Sequence, residues 1–116
     1  MKHTALHSKI HRATVTESNL NYEGSITVDR TLLELANIYE FESVDIYNIN
    51  NGSRLTTYII SGEPGSGIIC VNGAAARHFQ VGDLIIIASY VLLESAEFEN
   101  HKPRNVFVNA SNRLFE

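Results

Sequence analysis

The sequence predicts a mainly β protein, a small β-barrel with one or two short helices. Three observations carry that expectation: apolar and polar residues alternate at period two along most of the chain, glycine- and asparagine-bearing turns recur at short intervals, and only one segment shows a clear helical apolar stripe. Residues 11–16 alternate first, with Ala13 and Val15 opposite Arg12, Thr14 and Thr16. Residues 26–28 repeat the pattern briefly. Asp29 follows as an N-cap for residues 30–36, where Leu32, Leu33, Leu35 and Ala36 form the stripe. Residues 43–49 alternate again and run into Asn50-Asn51-Gly52, and Asn-Gly suits the positive φ angles of a type I′ hairpin turn. Residues 54–61 are the return strand, and residues 62–67, with three glycines, read as a hairpin loop. Residues 68–71 form a short buried strand stopped by Asn72-Gly73, and residues 74–77 suit a helical turn. Val81-Gly82-Asp83 is a tight connection into residues 84–93, whose continuous apolar run predicts a strand buried on both faces. Residues 94–100 read as irregular or a single helical turn, residues 106–108 as an edge strand, and the remainder as a polar tail.

Composition narrows the function. With 116 residues, the chain is one domain's worth of polypeptide, expected to form a single unit over residues 1–116. At 44% hydrophobic and 19% charged it is neither disordered nor collagen-like. Its formal charge of -4 argues against a nucleic-acid binder, which normally shows a basic excess or patch. A single cysteine, Cys70, excludes an intramolecular disulfide framework and suits a reducing compartment. Residues 1–9 carry no apolar signal core, and the ten-residue run 84–93 is too short to cross a bilayer as a helix. The expectation is a cytoplasmic protein with no membrane and no nucleic-acid partner.

Few local motifs carry chemistry. His3, His7 and His11 would share one face of a helix, a zinc-ligand spacing, but the segment leads into a β-branched strand, so no metal site is expected. The loop at 62–67 lacks the Lys-Ser/Thr ending of a phosphate-binding P-loop. Cys70, between Ile69 and Val71, reads as a buried inert thiol. On local evidence Asn21-Tyr22-Glu23-Gly24-Ser25 is a turn between two strands.

Several segments in register say more. Residues 8–16 (SKIHRATVT), 20–25 (LNYEGS), 49–54 (INNGSR), 56–58 (TTY), 71–77 (VNGAAAR) and 81–87 (VGDLIII) together resemble the pyruvoyl-dependent aspartate 1-decarboxylases, almost end to end and without large insertions. The resemblance implies a double-psi β-barrel assembled as a homotetramer, with active sites at subunit boundaries. It also implies a precursor that cuts its own chain between Gly24 and Ser25. The Ser25 hydroxyl attacks the Gly24 carbonyl to form an ester, and elimination and hydrolysis then leave a covalent pyruvoyl group and release ammonia. The products are a β chain of residues 1–24 and an α chain of residues 25–116. A missing Cβ at Gly24 is expected to ease the backbone bend that this attack needs.

Further roles follow from the resemblance alone. The pyruvoyl group, the only cofactor implied, serves as the electron sink for decarboxylation of L-aspartate to β-alanine, which feeds pantothenate and coenzyme A synthesis. Arg54 matches the carboxylate-binding arginine and Lys9 a second basic group. Thr57 and the backbone of Gly73, Ala74 and Ala75 match substrate contacts, Asn72 is a supporting amide donor, and Tyr58 matches the proton donor. Without the resemblance, Arg54 reads as a solvated hairpin residue, Tyr58 as a half-buried strand aromatic and Gly73 as a turn glycine. Strand periodicity sets Arg54 and Tyr58 on one face and Thr57 on the other, so Thr57 is expected to act from a bulge, through its backbone or at a subunit border. The competing reading is a non-catalytic β-barrel binding module with Gly24-Ser25 left uncut.

Overall fold

A computed structural model describes residues 1–115. Eight strands form one sheet: β1 (Lys2–Thr14), β2 (Glu17–Asn19), β3 (Ser25–Asp29), β4 (Ser43–Asn48), β5 (Arg54–Gly62), β6 (Ile69–Asn72), β7 (Leu84–Glu94) and β8 (Arg104–Phe107). Two short helices, α1 (Arg30–Ala36) and α2 (Ser95–Phe98), and a 3₁₀ turn at Gly73–His78 complete the described elements. The strand order is β2-β6-β3-β5-β4-β7-β1-β8. β2 and β1 stand near opposite ends of that order, yet they are consecutive in the chain. At their junction Val15 N–H donates to Asp83 O at 2.9 Å and Thr16 N–H to Ile69 O at 2.8 Å. The sheet therefore curls until its ends share one stretch of chain, which makes a small barrel.

Period-two burial explains why these segments are strands. Ile10, Ile26, Val28, Ile46, Ile59, Ile69, Val71, Ile85 and Ile87 point inward and form the core with Phe79 and Leu32. Each such side chain contributes about 1.5–3 kcal/mol on burial. α1 starts as the sequence indicates. Asp29 caps it by accepting from Thr31 N–H at 2.8 Å. The same buried carboxylate accepts from Gly65 N–H at 2.9 Å and Gly67 N–H at 2.8 Å.

That last contact corrects the reading of residues 62–67. β3 lies between β5 and β6, pairing parallel with the first and antiparallel with the second. The connection is therefore a crossover fastened to Asp29, not a hairpin loop. The β4–β5 hairpin is real, but its turn is not type I′. Gly52 has φ +78° while Asn51 does not lie in the left-handed region, and Asn48 accepts from Gly52 N–H at 2.9 Å across a longer loop. β7 is buried only in its first half; Tyr90 and Leu92 are exposed. The tail is not free either. Asn112 is buried, its Oδ1 accepts from Thr14 N–H at 2.7 Å, and its Nδ2 donates to Thr14 O and Gly67 O. β1 begins at Lys2, well before residue 11, because its N-terminal half pairs antiparallel with the second half of β7.

Candidate active site

Ser25 opens β3 and is fully buried. Its cross-strand partner on β6 is Asn72, and the next pair on the same face is Thr27 with Cys70. Period two thus gathers four polar side chains on one patch of an otherwise apolar sheet. Asn72 Nδ2 donates to Ser25 Oγ and to Thr27 Oγ1, each at 3.1 Å. Cys70 Sγ donates to Asn72 Oδ1 at 3.1 Å, which fits the amide orientation that aims Nδ2 at Ser25. Burial, with the Glu17 carboxylate beside it, pushes the Cys70 thiol up to about 12, so it keeps its proton and stays a donor. Ser25 Oγ in turn donates to Glu23 O at 3.1 Å. The hydroxyl is held from both sides, directly beside the Gly24-Ser25 bond.

Glycine matters here at a different position from the one expected. A Cβ on Gly24 would meet nothing within 4 Å, and Gly24 is not in the left-handed region. Gly73 is the constrained residue: its φ is +71°, and a Cβ there would lie 2.6 Å from Gly24 Cα and N and 3.0 Å from Tyr22 O. The start of the 3₁₀ turn presses on the backbone just before Ser25, and only glycine allows that approach.

A cavity of about 510 Å³ opens beside this bond, lined by Gly24, Leu55, Thr56, Thr57, Tyr58, Ala74, Ala75 and His78. It brings together five residues picked out in the sequence: Gly24, Thr57, Tyr58, Ala74 and Ala75. Thr57 needs no bulge. Its register partner is Val44, within an unbroken β4–β5 ladder, and the cavity reaches residues on both faces of β5. Arg54 lies in an adjoining hollow of about 170 Å³ with Asp45 and Tyr47, and the two hollows share Leu55 and Thr56. Lys9 lines neither cavity. It sits in β1 between Ala88 of β7 and Asn105 of β8.

Sequence reasoning missed Thr27 and His78 altogether; Cys70 is the buried thiol it expected, and only the hydrogen bond to Asn72 was not foreseen. The i, i+2 pairs Ser25/Thr27 and Cys70/Asn72 were visible as such, but only the β3–β6 register makes them one group. The three N-terminal histidines go separate ways. His3 stacks on Phe98 at 4.8 Å, His7 Nε2 contacts Asn37 O at 3.2 Å, and His11 meets Phe107 edge-on. Among the described residues no group of three metal-ligating side chains exists, and no helix is long and apolar enough to cross a membrane.

The aspartate decarboxylase family model matches residues 1–115. The chain belongs to the aspartate decarboxylase family. Among curated relatives, it is 63% identical over 109 residues to the aspartate 1-decarboxylase of Caldicellulosiruptor bescii, covering 94% of this chain and 85% of that one. It is 56% identical to that of Thermoanaerobacter pseudethanolicus, over 97% of both chains. Against that of Clostridium kluyveri identity is 53%, over all of this chain and 91% of the relative.

Proposed function

We propose that this chain is a self-processing aspartate 1-decarboxylase that converts L-aspartate to β-alanine and carbon dioxide, for pantothenate synthesis in the cytoplasm. The observation that carries the reading is the buried Ser25 hydroxyl, held by Asn72 and Glu23 against a backbone that Gly73 presses from behind. A serine held this way resembles a nucleophile poised for its neighbouring carbonyl, with alignment entropy already lost on folding. Cleavage there yields chains 1–24 and 25–116.

The residues fit a pyruvoyl group derived from Ser25. Asn72 Nδ2, now donating to Ser25 Oγ, can donate equally to a carbonyl oxygen in that place. When formed, the group supplies an electron sink for the pair left by a departing carboxylate. Other chemistry falls to the chain itself. Tyr58, lining the cavity, is the phenol that returns a proton to the substrate carbon. Thr57 and the backbone of Gly73, Ala74 and Ala75 orient the substrate. Arg54 and Lys9 supply cations for its two carboxylates.

One chain does not gather all of these groups, since Lys9 lines neither hollow and Arg54 lies in the adjoining one. Exposed Val81, Tyr90 and Leu92 offer apolar surface for association. Both facts support a homotetramer of processed chains with its sites completed across subunit boundaries.

The intact mass of purified protein tests the reading. Two fragments are expected, residues 1–24 and a residue 25–116 fragment lighter than a serine-started peptide, because its amine has become a ketone. A single uncut chain that still decarboxylates aspartate would overturn it, and a single uncut chain without activity would make the protein a binding module.

A further inference from the structure

Arg54 and Tyr47 are cross-strand partners at the start of the β4–β5 hairpin. The Arg54 guanidinium carbon lies 4.0 Å from the centroid of the Tyr47 ring, directly over its face. The ring is braced in turn. Tyr47 OH bonds to Tyr90 OH at 2.7 Å and donates to Asp45 Oδ2 at 3.3 Å, while Asp45 Oδ1 accepts from Thr56 Oγ1 at 2.7 Å. Asp45 lines the same hollow as Arg54, yet among the described residues Arg54 has no carboxylate within 4.0 Å. The nearby acid is instead engaged by two hydroxyls. A guanidinium over an aromatic face is held there by the ring quadrupole, without a charged partner, and its N–H groups stay available to an arriving carboxylate. An arginine paired with Asp45 would first have to give up that partner.

We propose that Tyr47 is a positioning residue for Arg54: the face of its ring holds the guanidinium without a carboxylate partner, so that it can take a carboxylate of a short amino dicarboxylate. The inference rests on the reading of Arg54 as a substrate-binding residue. It predicts binding effects without chemical ones. Stacking of this kind is worth roughly fivefold in affinity at a partly exposed site.

The test is steady-state kinetics with aspartate on mature Tyr47→Leu, Tyr47→Phe, Arg54→Ala and the Tyr47→Leu/Arg54→Ala double variant. Competitive inhibition by succinate, which has no amine to react, reports binding independently of turnover. Tyr47→Leu is expected to raise KM and the succinate inhibition constant about fivefold with kcat nearly unchanged. Tyr47→Phe keeps the aromatic face and should stay within about twofold of wild type. In the Arg54→Ala background Tyr47→Leu should have no further effect, since a residue acting through Arg54 has nothing left to act on. Raised constants in Arg54→Ala beside wild-type constants in Tyr47→Leu overturn the inference and leave the reading of Arg54 standing. Equal losses from Tyr47→Leu with and without Arg54 also overturn it. Wild-type constants in Arg54→Ala remove Arg54 from the site, and this inference with it. Tyr47→Phe and its succinate constant decide the matter should the leucine variant fail to fold: a loss as large as that of Arg54→Ala would show that the ring face is not what positions the guanidinium.

Discussion

Replacing Gly73 by alanine perturbs the proposed self-cleavage site without touching any of the groups proposed to react. At φ +71° an L-residue costs about 1–2 kcal/mol relative to glycine, a loss shared by precursor and product alike. The larger effect is local. The new methyl would stand 2.6 Å from Gly24 Cα and N, whereas ordinary contact begins at 3.4 Å. Something must yield by nearly an ångström, and the segment facing the methyl is the backbone of Tyr22 and Gly24, one residue before the Ser25 hydroxyl. A misplacement of about 1 Å commonly costs 10²-fold in a reaction that depends on alignment. Gly73→Ala should therefore fold, melt a few degrees lower, and cut itself about 100-fold more slowly. The assay is a denaturing gel of freshly purified precursor sampled over time, with circular dichroism and thermal melting as the check on folding. Gly24→Ala is the contrast, because its Cβ would meet open space, and it should cleave within about tenfold of wild type. Cleavage of Gly73→Ala at the wild-type rate would refute the argument that the close approach of the 3₁₀ turn sets the geometry of the bond.

Three further outcomes are expected. Tyr58→Phe should mature normally but turn over aspartate about 10²–10⁴-fold more slowly, with more of its α chains inactivated by protonation at the wrong carbon; wild-type turnover would remove Tyr58 from the proton step. Burial alone would raise the Asp29 carboxyl, but the N–H groups of Gly67, Gly65 and Thr31, with Arg113, outweigh it and hold the acid below its ordinary value. Its contribution to stability is thus complete above the unfolded value near 3.8 and is lost as pH falls through the lower folded value. Acid denaturation of Asp29→Asn should show a weaker pH dependence below pH 4, and identical curves would count against the carboxylate. Cys70, buried and pushed up to about 12, should resist alkylation at pH 8 in the native protein and react once the chain is denatured; rapid native labelling would contradict the proposed donor role.

Much of this protein was legible in its residues. The Asp29 cap and α1 followed from one polar residue set before an apolar helical stripe, and both strands of the β4–β5 hairpin followed from alternation about Asn-Gly. These are local properties, decided by sterics and hydrogen bonds within a few residues, so the sequence by itself determines them. The in-register motifs from residue 8 to residue 87 likewise identified the family before any strand was placed. What alternation could not decide is which strands meet. Gly62–Gly67 looked like a hairpin because strands flanked it, but β3 takes the place between β5 and β6 and turns the loop into a crossover bound to Asp29. The apparently polar tail hid Asn112, whose burial depends on Thr14 and Gly67, distant in sequence. The site divides in the same way. Ser25, Tyr58 and Thr57 are candidates through the family resemblance; by local pattern alone they read as a turn and two strand residues. The constraint on Gly73, the use of Cys70 as a donor and the stacking of Arg54 on Tyr47 exist only where two strands or a turn approach to within a few ångströms. Such contacts arise from register and closure of the barrel, and no local pattern encodes them.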